Sequence, residues 1–351
     1  MRRVIVFVIA ALLLGGETVP HHTPPPLVGF SYSPLMSLQD GRDPHADLRR
    51  LLDATEPDLV RLPIYWELVQ PSPRAPLDFS SVDSLLDDVA TYNRQSGNHV
   101  RVVLTVGARN FLFPELHQPL WAGERSQPFI AEAQAGLAYR TYFLASIHRY
   151  RLSPLLYAWQ VENEALDRVI NDYTGPDAIT EEQLTWEVDQ VHRIDPSHKV
   201  VVTTYNAINP TFDLIQRYAD PLLPLIGGGS GHMNEALDTG DIFGLDLYLD
   251  GPSIPWRDFT SIQLRTAWKQ QTLALWSGVA HSQGKQIWIA EAQAQPWAGE
   301  GTFSPDDLVN SAHAYREEPI DVVLLWGVET WLEDDRWLAA GQEATRILRA
   351  P

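Results

Sequence analysis

No cysteine occurs anywhere in the 351 residues. That absence removes disulfide bridges, thiolate metal centres and cysteine nucleophiles together. Basic residues are also scarce. Lysine plus arginine number 26 against 45 aspartates and glutamates, for a formal net charge of −19. Nucleic-acid binders carry a basic footprint, and none is visible; an acidic surface gives no help on anionic membranes either. Two phosphate signatures are missing. No G-x-G-x-x-G follows the first strand-like run, and the glycine-rich stretch Gly227–Gly231 is followed by no Lys-Ser/Thr and preceded by no strand. The His-x-His expected on the first strand of metal-dependent barrel hydrolases is absent, and none of the eleven histidines ends a strand-like run. No cofactor and no metal is implied. The acidic balance suits a soluble protein with a neutral substrate.

Aromatic residues are plentiful, with twelve tryptophans. Core packing accounts for part of them; the rest suit a groove whose flat apolar faces meet the C–H faces of sugar rings. The amino terminus reads MRRVIVFVIAALLLGG, with Arg2 and Arg3 before the apolar run Val4–Leu14. This is an export-signal pattern and is short for a spanning helix. Residues 1–19 are assigned as a signal peptide, with an uncleaved N-terminal anchor as the alternative, which predicts a secreted or extracytoplasmic protein. Residues 20–26, with His21, His22 and Pro24–Pro26, read as a linker, and 27–351 as one folded unit.

Strand-like and helix-like segments alternate along that unit. The strand candidates are Leu27–Ser33, Asp58–Trp66, His99–Gly107, Leu155–Glu162, Lys199–Asn206, Asp241–Tyr248, Lys285–Ala292 and Ile320–Val328. Each is a near-continuous apolar run, the mark of a parallel strand covered on both faces. Between them, Val82, Leu85, Leu86 and Val89 follow helical spacing, and Ala131–Tyr150 predicts a long helix. Thr180 with Gln183 has the form of a capping box. Ser304–Pro305 before Asp306 and Asp307 reads as an N-cap, proline at N1 and acids in the first turn. Arg109–Gln127, Asp250–Asp258 and Pro221–Gly240 read as long irregular segments. Eight strands, each followed by a helix, predict a single-domain (β/α)₈ TIM barrel with elongated βα loops.

Catalytic groups in such barrels project from the carboxyl ends of the strands. The polar residues there are Arg61, Asn163, Glu164, Tyr205, Asn206, Asp246, Tyr248 and Glu291, with Trp326 ending strand eight. Glu164 and Glu291 stand out: each closes an apolar run, and paired carboxylates are the machinery of glycosidic bond cleavage. One must carry a proton for the leaving oxygen, its pKa held up by burial or a neighbouring charge. The other must stay ionised, as a nearby arginine would help it do. Glu162 is a rival to Glu164, because regular alternation puts both on one side of the strand; the adjacent asparagine favours Glu164.

Asn163–Glu164 in WQVENEA, with Glu291 ending strand seven, resembles glycoside hydrolase clan A, the retaining (β/α)₈-barrel glycosidases that include some β-galactosidases. The likeness spans the chain from about Leu27 by order of elements. It implies Glu164 as acid/base, Glu291 as nucleophile, Asn163 as a contact to the sugar 2-OH, Arg61 and Tyr248 as partners of the nucleophile, and Trp326 as the platform beneath the ring. Asn206 joins these as a substrate-binding candidate. The chain departs from the pattern where Ala165 replaces a common proline, where Asp246 stands two residues before the strand-six tyrosine in place of a common histidine, and where Gly107, Arg109 and Asn110 occupy the end of strand three. These departures leave the sugar open. The reading is a retaining β-glycosidase acting on a neutral oligo- or polysaccharide, with no nucleic-acid partner and no membrane contact beyond the terminal anchor alternative. A non-catalytic carbohydrate-binding barrel and a metal-dependent hydrolase on the same fold are the rival readings.

Overall fold

The computed structural model describes residues 24–122, 134–166, 179–205, 207–211, 213–214, 233–251, 259–297 and 302–351. The signal assignment at 1–19, His21 and His22, and Gly227–Gly231 lie outside them. Eight parallel strands close into a barrel in chain order, with β1 hydrogen-bonded to both β2 and β8. The strands are β1 (Leu27–Ser31), β2 (Leu59–Tyr65), β3 (Arg101–Gly107), β4 (Leu156–Val161), β5 (Lys199–Thr204), β6 (Ile242–Leu247), β7 (Gln286–Gln293) and β8 (Val322–Trp326). The helices are α1 (Pro34–Gln39), α2 (Pro44–Thr55), α3 (Trp66–Val69), α4 (Ser80–Ser96), α5 (Gln134–Tyr150), α6 (Glu181–Ile194), α7 (Met233–Thr239), α8 (Ile262–Ser282), α9 (Pro305–Arg316) and α10 (Asp335–Leu348). No helix among the described residues is long and apolar enough to cross a membrane.

Two apolar layers explain the closure. Alternate strand residues Leu59, Val103, Ala158, Val201, Ile242, Trp288, Val322 and Leu324 pack together as the plug inside the barrel. Their neighbours face outward into a continuous shell shared with the helices. The α4 stripe Val82, Leu85, Leu86 and Val89 is buried there, each side chain stabilising by roughly 1.5–3 kcal/mol.

The caps partly follow expectation. Ser304 and Asp307 form a complete reciprocal box at the start of α9. At α6 only half of the box exists: the Thr180 hydroxyl accepts from Gln183 N at 3.2 Å, while the Gln183 side chain donates to Glu187 at 2.8 Å. A buried carboxylate outcompetes the backbone for that amide. The segment Pro221–Gly240 is not irregular throughout, since α7 closes it; Met233, Ala236 and Leu237 are buried at helical spacing.

Two strands depart from regularity. In β7 the register against both neighbours slips by one residue around Ala290: Leu245 pairs Ile289 but Asp246 pairs Glu291, and Ile289 pairs Val323 but Ala292 pairs Leu325. This is a β-bulge on β7, which reverses side-chain parity beyond it. At the end of β4, Glu162 (φ 57°) and Glu164 (φ 46°) both adopt the left-handed conformation, uncommon for residues with a β-carbon.

Candidate active site

Counting inward from the plug predicts which side chains reach the barrel mouth. From Leu59 on β2 the count reaches Arg61; from Ile242 on β6 it reaches Asp246 and then Tyr248; from Ala158 on β4 it reaches Gln160. From Trp288 on β7 the regular count would point Ala290 and Ala292 inward and Glu291 out. The bulge at Ala290 corrects this, and Ala292 joins the outer shell while Glu291 enters the mouth.

Glu291 is held there from two sides. Arg61 donates through Nη2 to Glu291 Oε1 at 2.7 Å, and the Tyr248 hydroxyl donates to Glu291 Oε2. The remaining Arg61 donors are also committed, Nε to Ser31 Oγ at 2.8 Å and Nη1 to Gln160 Oε1 at 2.9 Å. The guanidinium lies over the Phe111 ring at 4.2 Å. Arg61 and Glu291 are both buried. Burial pushes the Glu291 carboxyl above its usual range, and the Arg61 charge and the Tyr248 hydrogen bond pull it back.

The turn after β4 separates the two rival glutamates. Glu162 leaves the mouth altogether. Its carboxylate accepts from Ala108 N at 2.9 Å, Arg109 N at 2.6 Å and the Tyr139 hydroxyl at 2.8 Å, beneath α5 and α6. Tyr139 also bridges to the buried Glu187, which burial and then the Glu162 charge hold well above the normal carboxylate range. Glu164 turns the other way, into the cavity. One carboxyl oxygen from each of Glu164, Asp246 and Glu291 lies within 4.8 Å of the others, and all three residues are buried. Gln160 Nε2 donates to the Glu162 carbonyl at 3.0 Å and to Asn163 Oδ1 at 2.8 Å. Arg109 Nε donates to the Asn163 carbonyl at 2.8 Å, and Glu164 N to Thr203 Oγ1 at 2.9 Å. These bonds hold the left-handed turn in place.

Aromatic walls complete the mouth. Trp326 meets Tyr248 edge-on at 5.5 Å and stacks on Trp297 at 6.3 Å, its indole N–H donating to the Phe111 carbonyl at 2.8 Å. Of the candidates chosen from sequence, Arg61, Asn163, Glu164, Tyr248, Glu291 and Trp326 share one region; Asn206 lies outside the described residues. Sequence reasoning passed over Gln160, Ser31 and Phe111. Gln160 carries a findable signal, the same inward parity as Ala158. Asp246 was visible as a strand-six polar residue but had no role attached. The three clustered carboxyls are all oxygen donors, and one of them already pairs with the Arg61 cation, so among the described residues the mouth supplies its own counter-charge; we assign no metal ligand among them.

No established sequence family matches the chain, and no curated protein matches it. Solved structures do. A GH5_18 protein from Streptomyces cattleya in complex with GlcNAc superposes with a TM-score of 0.62 at 15% identity, covering 93% of this chain and 80% of that one. A GH5_18 protein from Bifidobacterium longum subsp. infantis gives 0.63 at 13% identity, covering 93% and 79%. A β-galactosidase from the haloarchaeon Halorubrum lacusprofundi gives 0.58 at 14% identity; the match covers 91% of this chain and 57% of that larger one. At these identities the likeness shows the fold alone: a closed eight-stranded parallel barrel.

Proposed function

We propose that the protein is a retaining β-glycosidase that cleaves O-glycosidic bonds of a neutral oligo- or polysaccharide by double displacement. The observation that carries this is the approach of Glu164 and Glu291, carboxyl oxygen to carboxyl oxygen within 4.8 Å in one buried mouth. A spacing of about 5 Å leaves no room for water on the far face of the sugar and suits a carboxylate that attacks carbon directly. Glu291, ionised by Arg61 and oriented by Tyr248, is the nucleophile. Glu164 protonates the leaving oxygen, then takes a proton from the water that hydrolyses the glycosyl-enzyme. Asn163 is aligned by Gln160 for a sugar hydroxyl, and Trp326 offers its face to the ring.

The similar solved structures in complex with GlcNAc and with Manβ1-4GlcNAc make β-mannosides and N-acetylglucosamine-containing disaccharides the first substrates to try, with β-galactosides beside them. The test is a screen of aryl β-glycosides with wild type and Glu291→Gly. Wild type should turn over at least one, releasing the β-anomer first; Glu291→Gly should lose turnover and regain it with azide as an external nucleophile. An inverted product, or a Glu291→Gly variant as active as wild type, refutes the mechanism. A barrel that binds glycans while hydrolysing none would return the non-catalytic reading. The export pattern at residues 1–19 leads us to place the enzyme outside the cytoplasm, which sequencing the amino terminus of secreted protein checks.

A further inference from the structure

The mouth holds one acid more than the proposed reaction uses. Asp246 stands on β6 beside Glu291 on β7, paired in register. It is fully buried, and neither of its oxygens meets an N–H or hydroxyl donor among the described residues. What it faces is charge. Glu164 projects from the turn after β4, Glu291 from β7, Arg61 from β2 and Glu115 from the loop after β3, while Tyr248 lies two residues along, just past the end of β6. Arg61 is the one cation in this group, and its Nη2 is already given to Glu291.

Three carboxyls within 4.8 Å of one another and a single guanidinium cannot all be ionised, because like charges at that range in a dry site repel strongly. Arg61 compensates Glu291. The other two must keep a proton between them.

We propose that Asp246 is a positioning residue for the acid/base: Asp246 and Glu164 share one proton across the barrel mouth, as a coupled pair. The inference rests on the glycosidase reading for its consequence and on the cluster's geometry for its existence. Burial first, and then the Glu291 charge, hold Asp246 well above the usual carboxylate range, with Arg61 opposing, which favours keeping the proton in the pair. During glycosylation Glu164 passes its proton to the leaving oxygen, which takes the bonding pair from the anomeric carbon as Glu291 bonds to that carbon. The pair is then doubly ionised, which the site tolerates because Glu291 has given up its charge in forming the ester while Arg61 stays beside it. In the second step, water bonds to the anomeric carbon, the ester to Glu291 breaks with its electron pair returning to the carboxylate, and the water's proton goes to Glu164. Asp246 ends as it began. Its task is to keep an anion beside the ionised nucleophile from forming too early.

The test is Asp246→Asn, which keeps the side chain's size and its donor but cannot titrate. In the wild type, losing the pair's last proton creates two adjacent anions; in the variant it creates one. The basic limb of the kcat/KM profile should therefore move to lower pH by about one unit or more, whatever the plateau height. A lowered plateau with the limb unmoved would reduce Asp246 to a packing residue and overturn the proposal. Infrared titration of the free protein needs no turnover. The carbonyl band of the pair's neutral carboxylic acid, isolated from those of Glu187 and Glu329 as a wild-type-minus-variant difference, is present in wild type at neutral pH and should disappear at lower pH in Asp246→Asn. Glu164→Gln should move it the same way, since coupling is reciprocal, and it serves if the first variant fails to fold. A band unchanged in both variants overturns the pair. So does calorimetric binding of calcium or magnesium to wild type that Asp246→Asn abolishes, because a cation would then hold the carboxyls together. Wild type inert on every glycoside but showing the coupled titration would sink the glycosidase reading and leave the pair standing.

Discussion

Replacing Arg61 by methionine tests the electrostatics of the mouth most directly. The guanidinium is the only full positive charge within bonding distance of Glu291 among the described residues, at 2.7 Å from nitrogen to oxygen. With roughly 4 Å between charge centres and an effective dielectric near 20, the pair interacts by about 4 kcal/mol. At about 1.4 kcal/mol per pKa unit this is worth close to 3 units on Glu291. Burial already pushes Glu291 upward; without Arg61 nothing but the Tyr248 hydroxyl opposes it. The acid limb of kcat/KM, which reports ionisation of Glu291 in the free enzyme, should climb by about 2–3 pH units. Stability follows with a definite sign. A carboxyl whose folded pKa is raised contributes its stability below the unfolded pKa and loses it as pH rises to the folded value. The variant should thus approach wild type in urea near pH 4 and fall behind by about 3–5 kcal/mol near pH 8, the usual cost of stripping one partner from a buried pair. The readouts are a pH–rate profile and urea midpoints at several pH values. An unmoved acid limb together with a pH-independent stability gap would refute the reasoning.

Three further outcomes are expected. Glu162→Gln should cost about 2–4 kcal/mol in urea unfolding, because the carboxylate accepts from two backbone amides and Tyr139, yet leave rates on good and poor leaving groups in their wild-type ratio; selective loss on poor leaving groups would transfer the acid/base role to Glu162. Gly107→Ala should destabilise by about 1–3 kcal/mol, since a β-carbon there would lie 2.4 Å from the Glu162 carboxyl carbon; a thermal midpoint equal to wild type contradicts this. Glu329→Gln should make the protein more stable above pH 7. Burial lifts the Glu329 carboxyl to about 7 despite the Ser33 amide it accepts from, so wild type loses up to about 3 kcal/mol as pH rises from near 4.5 through 7, whereas the amide has no proton to lose. Curves that stay parallel from pH 4 to 8 would mean the Glu329 carboxyl is ionised in the folded state.

The barrel was legible because parallel strands announce themselves: the eight apolar runs, such as Val102–Val106 between Arg101 and Gly107, are buried on both faces. Arg61 and Tyr248 were legible for the same reason, their inward direction following from even spacing to Leu59 and Ile242. Glu291 was chosen because it closes an apolar run, although regular alternation from Trp288 would aim it outward; the bulge at Ala290 has no mark in the sequence beyond small side chains at 290 and 292. The choice between Glu162 and Glu164 was equally closed to spacing, because it depends on two left-handed residues that neither is built to favour. Gln183 and Glu187 show the converse failure, where tertiary burial redirected a side chain that local capping rules had claimed.

The irregular places are the ones where the chemistry converges. A regular β4 would aim Glu162 and Glu164 to one side, and a regular β7 would aim Glu291 into the helical shell; no regular barrel of this sequence brings Glu164 and Glu291 together. Each left-handed residue costs roughly 1–2 kcal/mol, and such strain persists only where surrounding contacts over-determine it. Here they do. The amides of Ala108 and Arg109, with Tyr139, seize Glu162; Gln160 and Arg109 fix the carbonyls on either side of Asn163; and Thr203 takes the Glu164 amide. Gln160 does this while also accepting from Arg61, so the residue that shapes the Glu164 turn touches the cation that ionises Glu291. The placement of the two carboxylates is therefore one mechanical problem with a shared hub. Strain at the turn and charge at the bulge are held by the same amide.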